Sequence, residues 1–411
     1  MAAAGLNAKV EVPDHIPPER VIDFDMFNPP GLAEEGLHGA WKRLQSEDTP
    51  DLVWTPYNGG HWIAVRGSLV REGYSDPTRF SSQCIWIPRE AGLDYEFIPI
   101  IMDPPEHTPW RQILNKVLGL KHISAFDDLI EQQAVELIDN IKDRGHCDFA
   151  RDYAEIFPVR IFMILLGLPL EDGPYLKSIV DHITRPDGTV SMRDASNMLF
   201  EYLDPVIDDR WANPGEDFIS VLINSEVEGR KITKPEAQRL IGLILIGGLD
   251  TVINFLGFVM MFLAENPEYR RELANNPQRI RTVVEELGRR FPIVAIARTV
   301  KKDIELDGVT LRQGEMILLP TMLDTLDDRE YECPMKVDFD RRRKPNSFFG
   351  GGPHVCAGMH LARKEIIVTL QEWLKRIPEF ELSDDVAPRY QSSIVSTIKG
   401  VRLAWAVESV R

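Results

Sequence analysis

The stretch "SFFGGGPHVCAGMHLARKEI", residues 347–366, places four glycines and a single cysteine, Cys356, directly before a segment with helical periodicity. Free backbone N–H groups at the start of a helix, together with the positive end of the helix dipole, favour anions. Here the anion can be the cysteine thiolate itself. Three interpretations are open: a buried inert thiol, a cysteine nucleophile, or a thiolate that ligates a metal.

The residues around Cys356 bear differently on these interpretations. A buried inert thiol does not require the glycines at 350, 351, 352 and 358. A nucleophile needs a base, and His354 is poorly placed because neighbouring loop positions rarely face each other. A metal-ligating thiolate needs this loop and no second cysteine, provided that the metal arrives in a cofactor that supplies the other ligands. The stretch therefore favours a metal held within a cofactor.

Composition limits the compartment and the classes of partner. With 411 residues, 44% hydrophobic and 27% charged, the chain can bury a large core. Its net charge of -17 argues against general nucleic-acid binding, which requires clustered Lys and Arg. The four cysteines form no Cys-x-x-Cys pair, and residues 1–21 lack the pattern of a signal peptide. We expect a cytoplasmic protein without a membrane anchor.

One segment, "LIGLILIGGLDTVINFLGFVMMFLA" at residues 240–264, is long and apolar enough to cross a bilayer. Because Asp250 lies at its centre and no second span accompanies it, we expect a buried helix of a soluble protein. Gly247 and Gly248 let a bulky flat group approach the backbone, or let the helix open locally. Asp250 and Thr251 are then either a catalytic pair or a buried, paired aspartate beside a threonine bonded to the preceding turn.

Helical periodicity dominates the chain, and strand signals come in pairs. The spacing of apolar residues predicts helices over 109–142, 150–167, 190–211, 234–265, 267–291 and 358–376. Alternating segments broken by glycine-containing turns predict hairpins over 52–65, 304–311 and 397–405. These patterns predict a mainly α protein with small β-hairpin sheets. We expect residues 1–411 to form a single domain with an α-rich lobe and a smaller β-rich lobe.

Two weaker patterns lie outside these segments. Glu286 and Arg289 share one helical face, a spacing that is normally a surface contact worth about 0.2–0.5 kcal/mol. The turn in "MDPPEHTPWR", residues 102–111, is followed by His107 and Arg111 on one side of a helix. Two cationic donors there can hold a carboxylate or a phosphate, although a solvated face is the ordinary explanation.

Taken together, three ordered motifs carry a resemblance to a known family. Phe349-x-x-Gly352-x-x-x-Cys356-x-Gly358 resembles the haem-ligand loop of the cytochrome P450 monooxygenases. Glu286 and Arg289 fall where that family keeps its structural Glu/Arg pair, and "GGLDT" at 247–251 resembles the oxygen-activating part of its central helix. The resemblance covers nearly the whole chain and is closest to the bacterial camphor 5-monooxygenase type. It implies the cytochrome P450 fold, an α-rich prism that holds haem b between the central helix and the cysteine loop.

The resemblance also implies roles for individual residues. Cys356 would be the axial ligand of the haem iron, and Asp250 and Thr251 would deliver protons to dioxygen. The residues implied to contact the haem are His107, Arg111, Arg298 and His354 at the propionates, with Phe349, Gly247 and Gly248 beside the ring. In the implied substrate pocket Tyr95 would donate a hydrogen bond, with Trp86, Thr184, Leu243, Ile246, Val294, Ile394 and Val395 as walls. The alternative for Tyr95 is a core tyrosine with a satisfied hydroxyl.

The implied activity is hydroxylation of a small terpenoid, a camphor-like ketone or a related monoterpenoid or norisoprenoid. Dioxygen would be the oxidant, and two electrons would come from a [2Fe-2S] ferredoxin served by an NADH-dependent ferredoxin reductase. Over the cysteine side, Arg71, Arg111, Arg343 and Arg363 would form a basic docking patch. We expect a monomer. The alternatives are a peroxide-dependent haem-thiolate enzyme and a non-catalytic haem-binding protein.

Several positions depart from the camphor type. Ile296 stands where that type has an aspartate that contacts a propionate, and Trp86 and Ile100 replace a phenylalanine and a threonine, which makes the pocket entrance bulkier and more apolar. Gln83 replaces a glutamate near the potassium site of the family, so we expect no tight potassium binding. Asp338 stands where many relatives carry a third arginine of the Glu/Arg network.

Overall fold

In the computed structural model of the chain, residues 9–185, 188–383 and 387–410 are described, and about half of the chain is helical. The prediction about a signal peptide falls partly on residues 1–8, outside the described residues. The helices are α1 Leu32–Lys42, α2 Gly67–Ser75, α3 His107–Leu118, α4 Leu120–Ile123, α5 Asp127–Asp139, α6 Phe157–Leu166, α7 Gly173–Thr184, α8 Met192–Ala212, α9 Phe218–Ile223, α10 Lys234–Gly248, α11 Thr251–Glu265, α12 Pro267–Asn275, α13 Ile280–Arg290, α14 Thr321–Thr325 and α15 Met359–Arg376.

The strands are short and form small sheets. They are β1 Leu52–Thr55, β2 His61–Ala64, β3 Phe80–Ser81, β4 His146–Asp148, β5 Glu226–Val227, β6 Arg230–Lys231, β7 Ala295–Val300, β8 Ile304–Leu306, β9 Val309–Leu311, β10 Met316–Pro320, β11 Glu381–Leu382, β12 Arg389–Gln391, β13 Thr397–Lys399 and β14 Arg402–Ala404. The largest sheet has the order β1-β2-β10-β7-β3, and a second has the order β11-β14-β4.

Two of the three predicted hairpins are confirmed. β1 pairs antiparallel with β2, and β8 pairs antiparallel with β9. The third prediction is wrong, because β13 pairs with β12 whereas β14 lies between β11 and β4. Gly400, with φ of 77°, does turn the chain. The Phe149 N–H then donates to the Val401 carbonyl at 2.9 Å, which joins the following residues to the β4 edge instead of to β13.

The predicted helices differ from the observed ones mainly at breaks. The prediction over 109–142 spans α3, α4 and α5, because Gly119 adopts an extended conformation that ends α3. The prediction over 267–291 is divided into α12 and α13 by a turn that begins at Pro277, a residue without an N–H to continue the helix. The predictions over 190–211 and 358–376 are confirmed as α8 and α15.

The central helix comprises α10 and α11. It begins in a capping box, in which the Thr233 hydroxyl and the Glu236 carboxylate satisfy N–H groups of the first turn. Among the described residues, Lys234–Glu265 is the one helix long and apolar enough to cross a membrane, and 83% of its most apolar window is buried inside the protein. It is therefore the core helix that the sequence predicts, and it places Asp250 and Thr251 in the interior.

Candidate functional site

A cavity of about 340 Å³ lies between the central helix, α15 and the cysteine loop. Its lining brings together most of the residues singled out in the sequence. These are Cys356, His107, Arg111, His354, Phe349, Gly247, Gly248, Asp250 and Thr251, and the eight pocket residues Tyr95, Trp86, Thr184, Leu243, Ile246, Val294, Ile394 and Val395. Arg298 does not line the cavity, but its guanidinium lies 5.4 Å from the ring of Tyr74, which does.

The cysteine loop has a backbone that glycine makes possible. Gly350 and Gly352 adopt φ of 72° and 59°, a region that L side chains rarely occupy. A Cβ at position 352 would lie 2.3 Å from the Tyr74 carbonyl oxygen, so the loop packs against α2 only with glycine there. The Cys356 N–H donates to the Phe349 carbonyl at 2.8 Å, which closes the loop three residues before α15 begins.

The Cys356 thiol faces opposing influences. Burial raises its pKa, while the Gly358 N–H and the charges of Arg111 and Arg363 act to lower it. A metal ion would deprotonate such a thiol outright. Within the described ranges, no group of three or more His, Cys, Asp or Glu side chains is placed to hold a metal. A metal at Cys356 would therefore need a cofactor for its remaining ligands, and this donor set fits a haem.

Two histidines lie together at one edge of the cavity. The rings of His107 and His354 are 4.3 Å apart, and Nε2 of His354 is buried without a hydrogen-bond partner in the described part of the chain. Burial lowers the pKa of His107 to about 4, helped by the charge of Arg111. Burial lowers the pKa of His354 to about 3, helped chiefly by the charge of Arg298.

The neighbouring arginines lack an anion. Arg298 is 2% exposed, and its guanidinium donates to the Ala297 carbonyl at 2.9 Å. Arg111 donates to the Asn115 side chain at 3.3 Å. Neither forms an ion pair with a carboxylate of the described residues. Because a buried, unpaired charge is costly, this edge of the cavity calls for an anionic group, which the two propionates of a haem would supply.

The central helix is interrupted where it meets the cavity. α10 ends at Gly248 and α11 begins at Thr251, with Asp250 in a non-helical conformation. A Cβ at Gly248 would lie 2.2 Å from the Phe162 ring, whereas a Cβ at Gly247 would meet no atom within 4 Å. Thus Gly248 permits close packing against α6, and Gly247 leaves the cavity side of the helix open for a flat ring.

Asp250 is buried and paired. Its carboxylate accepts two hydrogen bonds from Arg185, both at 2.6 Å, and one from the Asn254 amide at 3.0 Å. The Thr251 hydroxyl donates to the Gly247 carbonyl at 3.1 Å. The local geometry is therefore the one given as the alternative to a catalytic pair. Since both residues also line the cavity, the same geometry is compatible with proton transfer.

The opposite wall is apolar except for two donors. Tyr95 is 5% exposed and lines the cavity, and none of the hydrogen bonds among the described residues uses its hydroxyl. Its ring packs 5.6 Å from Trp86 and 5.0 Å from Phe97, and burial raises its pKa well above the usual range. Nε1 of Trp86 is buried without a partner in the described ranges.

The Glu286–Arg289 pair is buried and forms two hydrogen bonds of 2.7 and 2.8 Å, so a surface contact is excluded. Arg289 also donates to the carbonyls of three residues between α13 and the cysteine loop, Thr325, Pro334 and Lys336. The position of Asp338 does not leave the network short of an arginine, because Arg341 donates to Glu286 at 3.1 Å.

The predicted basic patch is only partly correct. Arg71 is paired with Asp324 and Glu330, and Arg363 is paired with Glu285. Arg111 lines the cavity. Of the four arginines, Arg343 alone is exposed without an ion pair within the described residues.

Three features near the site were not predicted from the sequence. Arg342 and Lys344 flank Arg343 and are also exposed without an ion pair in the described chain; the signal was the run "RRRK" at 341–344 in an acidic protein. Glu365 lines the cavity fully buried, with neither carboxylate oxygen bonded to a described residue, and burial raises its pKa to about 8. The third is Arg185, whose pairing with Asp250 joins segments 65 residues apart.

Comparison with known proteins agrees with this arrangement. The family model described as cytochrome P450 matches residues 189–403. A protein named probable cytochrome P450 127A1, from Sinorhizobium fredii, is 34% identical over 96% of this chain and 97% of its own length. The chain belongs to the cytochrome P450 family. Further relatives are named as oxygenases and monooxygenases, and this P450 is accordingly a monooxygenase with haem b as its cofactor.

Solved structures confirm the cytochrome P450 fold. The crystal structure of CYP101J2 is 42% identical, covers 97% of this chain and 100% of that chain, and superposes with a TM-score of 0.90. The crystal structure of cytochrome P450 CYP101C1 is 40% identical, with coverage of 96% and 100% and a TM-score of 0.89. The fold class and the cofactor expected from the sequence are thus confirmed.

Proposed function

We propose that this P450 hydroxylates a small, mostly apolar terpenoid that carries a carbonyl or ether oxygen, such as a camphor-like ketone, with electrons from a [2Fe-2S] ferredoxin. The observation that carries the proposal is the position of Tyr95, which lines the mostly apolar cavity with a hydroxyl that bonds to no described residue. A ligand that places one acceptor there gains a hydrogen bond inside an apolar pocket. The rest of the ligand would contact apolar side chains.

The haem would be held from two sides. Cys356 would supply the thiolate ligand, and Arg298, Arg111, His354 and His107 would contact the propionates, which would neutralise the two unpaired arginines described above. Bound in this way, the haem-thiolate group supplies dioxygen activation. Gly247 would leave room for its ring, and Phe349 and Gly248 also line the cavity.

Asp250 and Thr251 would supply protons to the cavity. Asp250 directly precedes Thr251 in the chain, and its carboxylate is joined through Arg185 to Asp181, whose side chain is 41% exposed. Lys177 lies 3.9 Å from the Asp250 carboxylate. These groups form a charged route from the surface to the cavity. The Thr251 hydroxyl, on the next residue, would hold a water in the cavity and pass a proton inward.

The electron donor would dock over the cysteine loop. Arg342, Arg343 and Lys344 are exposed beside this loop and have no acidic partner in the described chain. In a protein of net charge -17 such a cluster attracts an acidic carrier by local complementarity.

A titration of the ferric protein tests the substrate proposal. We expect small terpenoid ketones to displace the iron-bound water and shift the haem spin state, and Tyr95→Phe to weaken ketone binding roughly tenfold, the loss expected for one hydrogen bond. Matched hydrocarbons that lack the carbonyl serve as the control, because their affinity should not change. Equal ketone affinity in the parent and in Tyr95→Phe would remove the role of Tyr95.

A second measurement tests the haem-thiolate assignment. The reduced protein with carbon monoxide should show the red-shifted absorption of a thiolate-ligated haem, and Cys356→Ser should abolish it. A parent protein without this absorption contradicts the proposed function as a whole.

A further inference from the structure

The cysteine loop is fastened at its start by a buried carboxylate. Asp324, in α14, is 0% exposed, and its Oδ2 accepts a hydrogen bond of 2.6 Å from the Ser347 N–H. Its Oδ1 accepts a hydrogen bond from Arg71 of α2. One carboxylate thus joins α2, α14 and the first residue of the stretch that contains Cys356.

Backbone hydrogen bonds connect Ser347 to the region of Cys356. The Ser347 carbonyl accepts from the Gly350 N–H at 2.8 Å, and the Phe349 carbonyl accepts from the Cys356 N–H at 2.8 Å. Ser347, Phe349 and Gly350 belong to one tight turn. The carboxylate of Asp324 therefore fixes the turn whose other end fixes the backbone of Cys356.

The opposite end of this connection reaches the surface. The Arg71 side chain is 31% exposed, and it also pairs with Glu330 at 2.6 Å. Glu330 is 31% exposed as well. A pairing with Glu330 is enough to neutralise Arg71, so the pairing with a buried second carboxylate needs its own explanation.

Packing around Asp324 leaves the carboxylate little freedom. A Cβ at Gly67 would lie 2.6 Å from Asp324 Oδ1, so the backbone of α2 lies directly against the carboxylate. A buried carboxylate held by a guanidinium and a backbone N–H is a rigid, charge-assisted connection. Because the Asp324 carboxylate is buried and bonds to the loop backbone, it is better suited to support the loop than to form a surface ion pair.

We propose that Asp324 is a positioning residue of the haem-thiolate centre, which holds the loop of Cys356 in place and links it to Arg71 on the surface. This inference rests on the proposed role of Cys356 as the axial ligand. Loss of the Asp324 carboxylate would free the turn at 347–350. The Cys356 sulfur would then be lost more readily as a ligand of the haem iron.

The test compares three haem-loaded variants with the parent. Asp324→Ala removes the hydrogen bonds to both Ser347 and Arg71. Asp324→Asn removes the negative charge but keeps a hydrogen-bond acceptor. Glu330→Gln neutralises the other carboxylate that pairs with Arg71 and leaves the cysteine loop unchanged. The reduced carbon-monoxide complex is followed at mildly elevated temperature. We expect the thiolate-type absorption to decay roughly fivefold or more faster in Asp324→Ala, less so in Asp324→Asn, and within about twofold of the parent in Glu330→Gln.

Hydrogen exchange gives a readout that does not depend on Asp324→Ala folding well. In haem-loaded Asp324→Asn, the peptide covering 347–356 should exchange faster than in the parent, while the β8–β9 hairpin should not change. Unchanged exchange and decay in the Asp324 variants, or equal effects in Glu330→Gln, would overturn the inference alone. A parent protein that lacks the thiolate-type absorption would overturn the proposed function first, and this inference with it.

Discussion

At the scale of single residues, Thr251 combines an ordinary local geometry with an unusual position. Its hydroxyl bonds to the preceding turn as many helical threonines do, yet the helix is interrupted there and the side chain lines the cavity. We expect Thr251→Ala to bind substrate with little change and to divert electrons from product to peroxide, lowering product per electron by about tenfold or more. Product, peroxide and consumed oxygen are measured together.

Thr251→Ser provides the matched control, because it keeps the hydroxyl at the helix break and should restore most of the product yield. If Thr251→Ala couples electrons to product as well as the parent does, the proposed role of the hydroxyl is wrong.

Glu365 leads to a prediction about stability and pH. Its pKa in the folded protein, about 8, lies above the ordinary value of 4.5, so folding favours the protonated form. Its contribution to stability is fully present below about pH 4.5 and is lost as the pH rises through about 8. Glu365→Gln cannot ionise and should be the more stable protein at alkaline pH, by a few kcal/mol at most, since one pKa unit is about 1.4 kcal/mol.

Urea unfolding of the parent and of Glu365→Gln, from about pH 5 to about pH 9, measures this difference. The exposed Glu131→Gln in α5 is the control and should unfold in parallel with the parent at every pH. A constant difference between the parent and Glu365→Gln across this range would contradict the prediction.

At the scale of elements, the interruption between α10 and α11 depends on an ion pair. Arg185, at the end of α7, holds the carboxylate of Asp250, and removing the arginine leaves that carboxylate buried without its main partner. We expect Arg185→Gln to cost about 2–3 kcal/mol of unfolding free energy, less than a fully buried pair because the Arg185 side chain is partly exposed.

The control is Lys177→Gln, since Lys177 lies farther from the same carboxylate and should cost less than about 1 kcal/mol. Chemical unfolding of both variants measures the two values. A cost for Lys177→Gln as large as that for Arg185→Gln would show that charge in general, and not the specific pair, holds the break.

Elements with a strong apolar period could be predicted from the sequence, and long-range pairings could not. α11 and α15 follow directly from the spacing of their apolar residues. The division of 109–142 depends on the backbone of Gly119, and the partner of β14 is β4, more than 250 residues earlier in the chain. Local spacing carries no information about a partner so distant.

At the scale of the whole molecule, charge is distributed unevenly. We expect the triple variant Arg342→Gln, Arg343→Gln, Lys344→Gln to be reduced by ferredoxin about tenfold more slowly than the parent at low ionic strength, because the exposed cations attract the acidic carrier. The difference should shrink as salt screens these charges. Stopped-flow reduction of the ferric protein at several salt concentrations measures it.

Lys231→Gln serves as the control, since Lys231 is exposed in β6, away from the cysteine loop. A loss of rate in the control equal to that in the triple variant would point to net charge alone. A triple variant that reacts like the parent at low salt would show that the ferredoxin docks elsewhere.

The site as a whole was predictable where a residue type is diagnostic by itself. Cys356 and the loop glycines Gly350 and Gly358 carry their chemistry in their identity, whereas the role of Tyr95 follows only from the family resemblance, and all four line the cavity. The roles of charged residues were harder to predict, because a guanidinium can contact a docking partner or form an ion pair within the protein. Arg71 pairs with Asp324 and Glu330, and Arg363 pairs with Glu285. Only the folded chain brings these carboxylates near the arginines, so the sequence could not show the ion pairs.

The second arginine of the buried network, Arg341, has a consequence for how such networks are detected and redesigned. Glu286 receives its second guanidinium from Arg341, three positions beyond Asp338, while the Asp338 N–H donates to the same carboxylate oxygen at 2.9 Å. A search that requires arginine at position 338 would conclude that this chain lacks the network, although the Glu286 carboxylate accepts hydrogen bonds from Arg289, Arg341 and the Asp338 N–H. Because position 338 contributes its backbone N–H and position 341 its guanidinium, a library that randomises position 338 should tolerate many residues as long as position 341 stays arginine.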